Sequence, residues 1–89
     1  MNKKMLDILA CPMCKHHPLE SFELDLHDEI IVEGVLFCIS CSRFYPIIEE
    51  IPIMLPDELR NKEQDLEFLN KNKDSLPEKI VMHGIPWHL

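Results

Sequence analysis

Apolar positions along this chain change period twice, and each change marks a new kind of element. Residues 3–9 place Met5, Leu6, Ile8 and Leu9 around one or two helical turns. From Leu19 to Leu26 the pattern alternates, with Phe22, Leu24 and Leu26 on one face and Glu23 and Asp25 on the other, a half-buried strand. His27-Asp28-Glu29 reads as a turn, and residues 30–37 as the returning strand, with Gly34 the expected bulge. Residues 42–48 predict a third strand, Glu49-Glu50 a turn, and Ile51-Pro52-Ile53-Met54-Leu55 a fourth extended segment. Beyond Pro56 the period becomes helical: Leu59, Leu66, Leu69 and Leu76 recur at sevens and threes with Phe68 beside them. Asp57 is the expected cap of that region and Pro77 its end. The tail, residues 78–89, either adds a strand or stays mobile.

These elements predict a small α+β domain, a mostly antiparallel sheet of about four strands with flanking helices. At 89 residues the chain reads as one domain. Residues 1–55 make a metal-stapled sheet with an N-terminal helix, residues 56–77 a helical region and residues 78–89 the tail. The chain opens on Met1-Asn2-Lys3-Lys4 without a secretory signal pattern. No apolar run approaches the roughly 20 residues that span a bilayer, so the expected compartment is the cytoplasm and no membrane partner is expected.

Four cysteines supply the chemistry. Cys11-Pro12-Met13-Cys14 and Cys38-Ile39-Ser40-Cys41 each have the C-x₂-C spacing with which one tight turn presents two thiolates to one metal ion. The 23 residues between the pairs suffice for a β-hairpin that brings the second turn beside the first. A closed set of four thiolates leaves no position for water or substrate, so the expected Zn²⁺ is structural. Two disulfides and a rubredoxin-like iron site are the alternatives, the first disfavoured in a cytosolic protein. His16, His17, His83 and His88 are not needed as ligands. Glu49 and Glu50 are adjacent, so in a strand they point to opposite faces and form no acid–base pair.

The formal charge is −7, falling to about −9 once four thiolates surround one Zn²⁺. With nine Lys and Arg against sixteen acids, direct nucleic-acid binding is not expected. A basic protein partner suits such a surface better. The stretch from Phe44 to Leu55 is apolar yet broken by Pro46 and Pro52, which places its strands at sheet edges. An apolar edge needs a cover. Either the helical region folds back over it or another protein does, through strand addition, and both can hold.

The ordered motifs Leu6-Asp7-Ile8-Leu9-Ala10-Cys11-Pro12-Met13-Cys14-Lys15, Cys38-x-x-Cys41-x-Arg43-x-Tyr45-Pro46-Ile47 and Ile51-Pro52-Ile53-Met54-Leu55 resemble the zinc-containing methyltransferase activator family, its archaeal branch in particular. The resemblance spans about residues 4–56. It implies a non-catalytic subunit that forms heterodimers with several S-adenosylmethionine-dependent methyltransferases acting on tRNA, rRNA or a translation release factor. S-adenosylmethionine is then expected on the partner only. The family's zinc ligands carry over to Cys11, Cys14, Cys38 and Cys41, and its partner-binding stretch to Phe44, Tyr45, Pro46, Ile47, Pro52, Ile53, Met54 and Leu55.

Two positions depart from the family pattern. Ser42 and Glu50 stand where glycine is common, so those turns must take another shape or accept strain. Two other functions compete with the activator role: a free-standing zinc ribbon of the transcription or translation machinery, and a rubredoxin-like electron carrier. The lack of glycine after either cysteine turn, at Lys15 and Ser42, speaks against the electron carrier.

Overall fold

A computed structural model describes all 89 residues. Its centre is a four-stranded antiparallel sheet: β1 (Glu20–His27), β2 (Ile30–Phe37), β3 (Phe44–Ile48) and β4 (Ile51–Pro52), in spatial order β1-β2-β3-β4. Helix α1 (Lys62–Asn72) and the single turn α2 (Glu78–Val81) follow, with short 3₁₀ turns at Lys3–Asp7 and Asp57–Leu59. The expected α+β architecture is the one observed.

The hairpin β1–β2 carries two offset irregularities. Leu24 is the extra residue in β1, between the pairs Glu23↔Gly34 and Asp25↔Glu33. Val32 is the extra residue in β2, between Glu33 and Ile31. Each extra residue reverses the in–out alternation beyond it. Ile31 therefore joins the face of Leu36, Tyr45 and Ile47, while Leu26 is left half-exposed and apart from Phe22 and Leu24. The bulge predicted at Gly34 lies across the ladder from it. Gly34 itself answers a close approach: a Cβ there would sit 2.6 Å from the Phe22 carbonyl oxygen.

Both sheet faces are covered. On the first, Ile31, Leu36, Tyr45 and Ile47 pack with Met1, Leu19, Cys11 and Cys38, and with Leu6, Leu9 and Met54 at the margin. On the second, Val35, Phe37 and Phe44 pack against Phe68, Leu69, Leu76, Ile80 and Val81, with Phe22, Leu24, Ile48 and Trp87 around them. A sheet clad on both sides explains the near-continuous apolar runs of β2 and β3.

The helical region departs from its predicted form. Asp57 does not cap a helix; its carboxylate is taken by Arg43. The chain becomes extended at Arg60, and α1 starts afresh with Asn61 as cap, its side chain accepting from the Gln64 N–H at 3.0 Å. That break shifts the helical phase, so Leu59 is 63% exposed while Leu69 is fully buried. Pro77 introduces α2 rather than ending α1. The tail adds only one bridge to the sheet: the Phe44 N–H donates to the Ile85 carbonyl, and the Ile85 N–H to that of Ser42.

Candidate metal centre and interaction edge

Each cysteine pair sits in a turn of identical wiring. In the first, the Lys15 N–H donates to the Cys11 carbonyl (2.8 Å) and the Cys11 N–H to the His16 carbonyl (3.0 Å). In the second, the Ser42 N–H donates to the Cys38 carbonyl (2.8 Å) and the Cys38 N–H to the Arg43 carbonyl (2.8 Å). Both turns close on a residue in the left-handed region, Lys15 at φ 67° and Ser42 at φ 65°. The absence of glycine there does not keep either turn from its shape, so it carries no weight against iron.

The hairpin β1–β2 brings the turns together. The four sulfurs lie within 4.8 Å of one another, with Cys11 to Cys41 at 3.7 Å and Cys14 to Cys38 at 3.4 Å. A tetrahedron with metal–sulfur bonds of about 2.3 Å has edges of about 3.8 Å, so the donor set fits one tetrahedral thiophilic ion. The thiols are not bonded in pairs. Cys11 and Cys38 are buried, Cys41 is half-buried and Cys14 is exposed. No histidine belongs to the cluster; the His17 ring instead lies 2.7 Å from the Asp7 carbonyl oxygen.

The surroundings treat the thiols unequally. The Tyr45 hydroxyl, fully buried, is 3.1 Å from the Cys11 sulfur. Burial alone pushes the Cys11 thiol up, but hydrogen bonds from Tyr45 and from the Cys14 and Met13 backbone outweigh it and bring it down to about 6. Burial raises Cys38 to about 12 in the absence of a cation. Burial and the nearby Cys11 sulfur hold Tyr45 well above the ordinary phenol range, so its hydroxyl donates.

Arg43 and Arg60 extend this polar frame. Arg43 forms a two-pronged pair with Asp57, at 2.9 and 2.8 Å. The Arg60 guanidinium is buried between the Phe44 and Tyr45 rings, 5.0 and 5.2 Å from their centroids. Its Nε donates to Asp65 (3.0 Å), and the Trp87 indole N–H donates to the same carboxylate oxygen (3.0 Å). Nothing in the sequence pattern singled out Arg60, because one arginine in a polar stretch carries no periodic signal.

The eight positions expected at a partner surface divide in two. Phe44, Tyr45, Pro46 and Ile47 are fully buried within the molecule, because β3 is an inner strand with both faces covered. Their side chains form core, and β3 is not the edge strand that Pro46 led the sequence to predict. Pro46 is tolerated there because its carbonyl accepts from the Ile53 N–H at 2.9 Å, the half of the pairing that proline retains. Pro52, Ile53 and Met54 are half-buried and Leu55 exposed, in β4, one of the sheet's two edge strands, and the extended segment that follows it. Ile51, in the same edge, is 60% exposed.

The comparisons with known proteins agree with this geometry. Residues 2–50 match the Trm112p-like protein family. A protein of Nitrosococcus oceani designated UPF0434 is 36% identical over 68 residues, covering 76% of this chain and all of that protein. A tetraacyldisaccharide 4'-kinase of Nitrosomonas eutropha is 40% identical over 68 residues, 76% of this chain but only 15% of the kinase. Among solved structures, the complex between the Haloferax volcanii Trm112 methyltransferase activator and a methyltransferase holds a similar chain. It has TM-score 0.64 and 33% identity, covering 67% of this chain and 100% of that one. With its paired cysteine turns on an antiparallel sheet, this chain belongs to the Trm112p-like family.

Proposed function

We propose that this chain is a non-catalytic subunit that activates and stabilises S-adenosylmethionine-dependent methyltransferases by forming heterodimers with them. Its partners act on tRNA, rRNA or a translation release factor. Cys11, Cys14, Cys38 and Cys41 hold a structural Zn²⁺, and the methyl donor binds to the partner. The observation that carries this reading is the likeness to the Haloferax volcanii activator chain, all of which this chain covers. The occurrence of the module as a small part of a much longer enzyme also supports an accessory role.

The physical setting is consistent with that role. Four thiolates saturate a tetrahedral ion, which then staples the hairpin to the N-terminal segment and polarises no substrate. The β4 edge offers unpaired backbone groups flanked by Ile51, Ile53 and Leu55, suited to adding a strand from another sheet. Activation follows if the enzyme's competent conformation binds this edge more tightly than its other states do. The net charge of −7 favours partners whose RNA-binding surfaces are basic.

The test is co-expression with a methyltransferase of the same cell, reading soluble yield and methyl transfer with and without this chain. Both should rise together in its presence. Equal yield and equal transfer without it would refute the activator reading for that enzyme.

A further inference from the structure

Residues 84–89 reach both cysteine turns, by two separate routes. The first runs through backbone. The Ile85 N–H donates to the Ser42 carbonyl at 2.8 Å, and the Phe44 N–H donates to the Ile85 carbonyl at 3.2 Å. Residues 42–44 are the return of the second cysteine turn: the Ser42 N–H closes it on the Cys38 carbonyl, and the Arg43 carbonyl accepts from the Cys38 N–H. The tail thus brackets the backbone that fixes Cys38, at a residue, Ser42, that holds left-handed backbone without being glycine. The approach is close. A Cβ on Gly84 would stand 2.5 Å from the Ile80 carbonyl oxygen and 3.0 Å from the Phe44 ring. The Leu89 N–H donates back to the Val81 carbonyl at 2.9 Å and folds the tail onto α2.

The second route runs through side chains. The Trp87 indole N–H and the Arg60 Nε share one Asp65 oxygen, Arg60 covers the Tyr45 ring, and the Tyr45 hydroxyl meets the Cys11 sulfur. The Arg60 side chain has no exposed surface. Its Nη1 makes no hydrogen bond, and its Nη2 faces Asp65 at 2.8 Å outside hydrogen-bonding geometry. Unpaired donors in the interior are costly, so packing alone does not explain a cation here. The metal centre does. Four thiolates around a divalent ion carry a net charge of about −2. A guanidinium buried behind Tyr45 offsets part of it, draws electron density from the phenol and strengthens the O–H that faces Cys11.

We propose that residues 84–89 are a strap that sets how tightly the four cysteines hold their metal ion, with Arg60 and Trp87 as positioning residues for that centre. The inference rests on the zinc reading of the cysteines and not on which enzyme the chain serves. Ile85 steadies the second turn through its backbone. Trp87 anchors Asp65, Asp65 aims Arg60, and Arg60 supports the donor to Cys11. The ion leaves only when the two turns part, and the strap resists that at both.

The test is zinc transfer from the loaded chain to an excess of a chromophoric chelator, with affinity read by competition. Trp87→Phe keeps a ring and removes the indole donor; Gly84→Ala drives a methyl group against the Ile80 carbonyl and the Phe44 ring. Each should release zinc about tenfold faster than the parent and bind it about tenfold more weakly, as expected for outer contacts on metal ligands. Leu76→Ala and the milder Leu76→Val loosen the same side of the sheet without touching either route. They should stay within about twofold of the parent, since a fold that remains populated keeps its intrinsic affinity. Amide exchange on zinc-loaded Gly84→Ala should show protection lost at Cys38 and Ser42 and kept at Cys11 and Lys15. Leu76 variants that release zinc as fast as the tail variants, or either tail variant releasing it at the parent's rate, would overturn the strap and leave the zinc reading standing. A parent chain that takes up no zinc overturns both.

Discussion

The Tyr45 hydroxyl donates to the Cys11 sulfur across 3.1 Å, from a ring that is fully buried and roofed by the Arg60 guanidinium. This contact joins the centre of the sheet to the metal centre. A hydrogen bond to a metal-bound thiolate spreads its charge and fixes its direction, and such outer contacts set affinity. Tyr45→Phe keeps the ring and removes the donor. Metal affinity, measured by competition with a chromophoric chelator, should fall about 10- to 100-fold.

The same pairing does not tell zinc from iron, since both accept four thiolates in a tetrahedron. The purified protein should be colourless, and metal analysis should find one zinc per chain. A reddish protein with visible absorption would assign iron. Chelation should abolish the cooperative thermal transition, because the ion closes a small fold whose core alone is limited.

Five residues hold left-handed backbone without being glycine: Lys15, Asp28, Ser42, Glu49 and Glu50. Glu49 and Glu50, at φ 50° and 69°, form the two-residue β3–β4 loop, a position that favours Asn-Gly. The departure at Ser42 and Glu50 from the family's common glycine is therefore met by strain, not by a different turn. Glycine relieves about 1–2 kcal/mol of this strain, less what it loses in chain entropy. Ser42→Gly and Glu50→Gly should each raise stability by about 1 kcal/mol in denaturant titrations at fixed metal.

Arg43 holds the Asp57 carboxyl below the usual carboxylate range, chiefly through their hydrogen bonds. A depressed carboxylate stabilises the fold above its unfolded value, about 3.9, and that contribution disappears as pH falls through the lower, folded value. Asp57→Asn should accordingly be less stable than the parent near pH 7, and the gap should close on acidification below about pH 4. The pair is partly exposed, so the gap at neutral pH should be about 1 kcal/mol. Denaturant titrations of both proteins across that range check it.

Asp65 is the shared acceptor for Arg60 and Trp87, and both partners depend on it. Asp65→Ala strands a buried guanidinium and should cost about 3–5 kcal/mol. Trp87 fluorescence should then shift to longer wavelength as the tail comes away.

Ile51 sits in the free edge strand with 60% of its surface in solvent. Ile51→Lys should leave stability within about 0.5 kcal/mol of the parent and weaken binding to a methyltransferase. Met54→Lys is a different case, because Met54 packs against the core beneath the metal centre. It should lower the thermal transition as well, and partner binding unaffected by Ile51→Lys would remove the edge from the interface.

Much of the site is written in spacing alone. Two C-x₂-C turns separated by a hairpin's length specify a four-thiolate cluster, because the chemistry requires only that four neighbouring sulfurs converge. Alternation in 20–26 and the apolar run of 44–48 likewise mark strands, since they report which side chains seek cover. What covers them is a separate matter, settled by contacts distant in the chain. β3 became an inner strand, with Phe44 and Ile47 in the core, because N-terminal residues close one face and residues 61–89 the other. The break at Arg60, which exposes Leu59, exists because a guanidinium found two rings and a carboxylate at one place. Periodicity states that a residue is to be buried; only the folded chain decides against what, and that choice separates a core position from a docking surface.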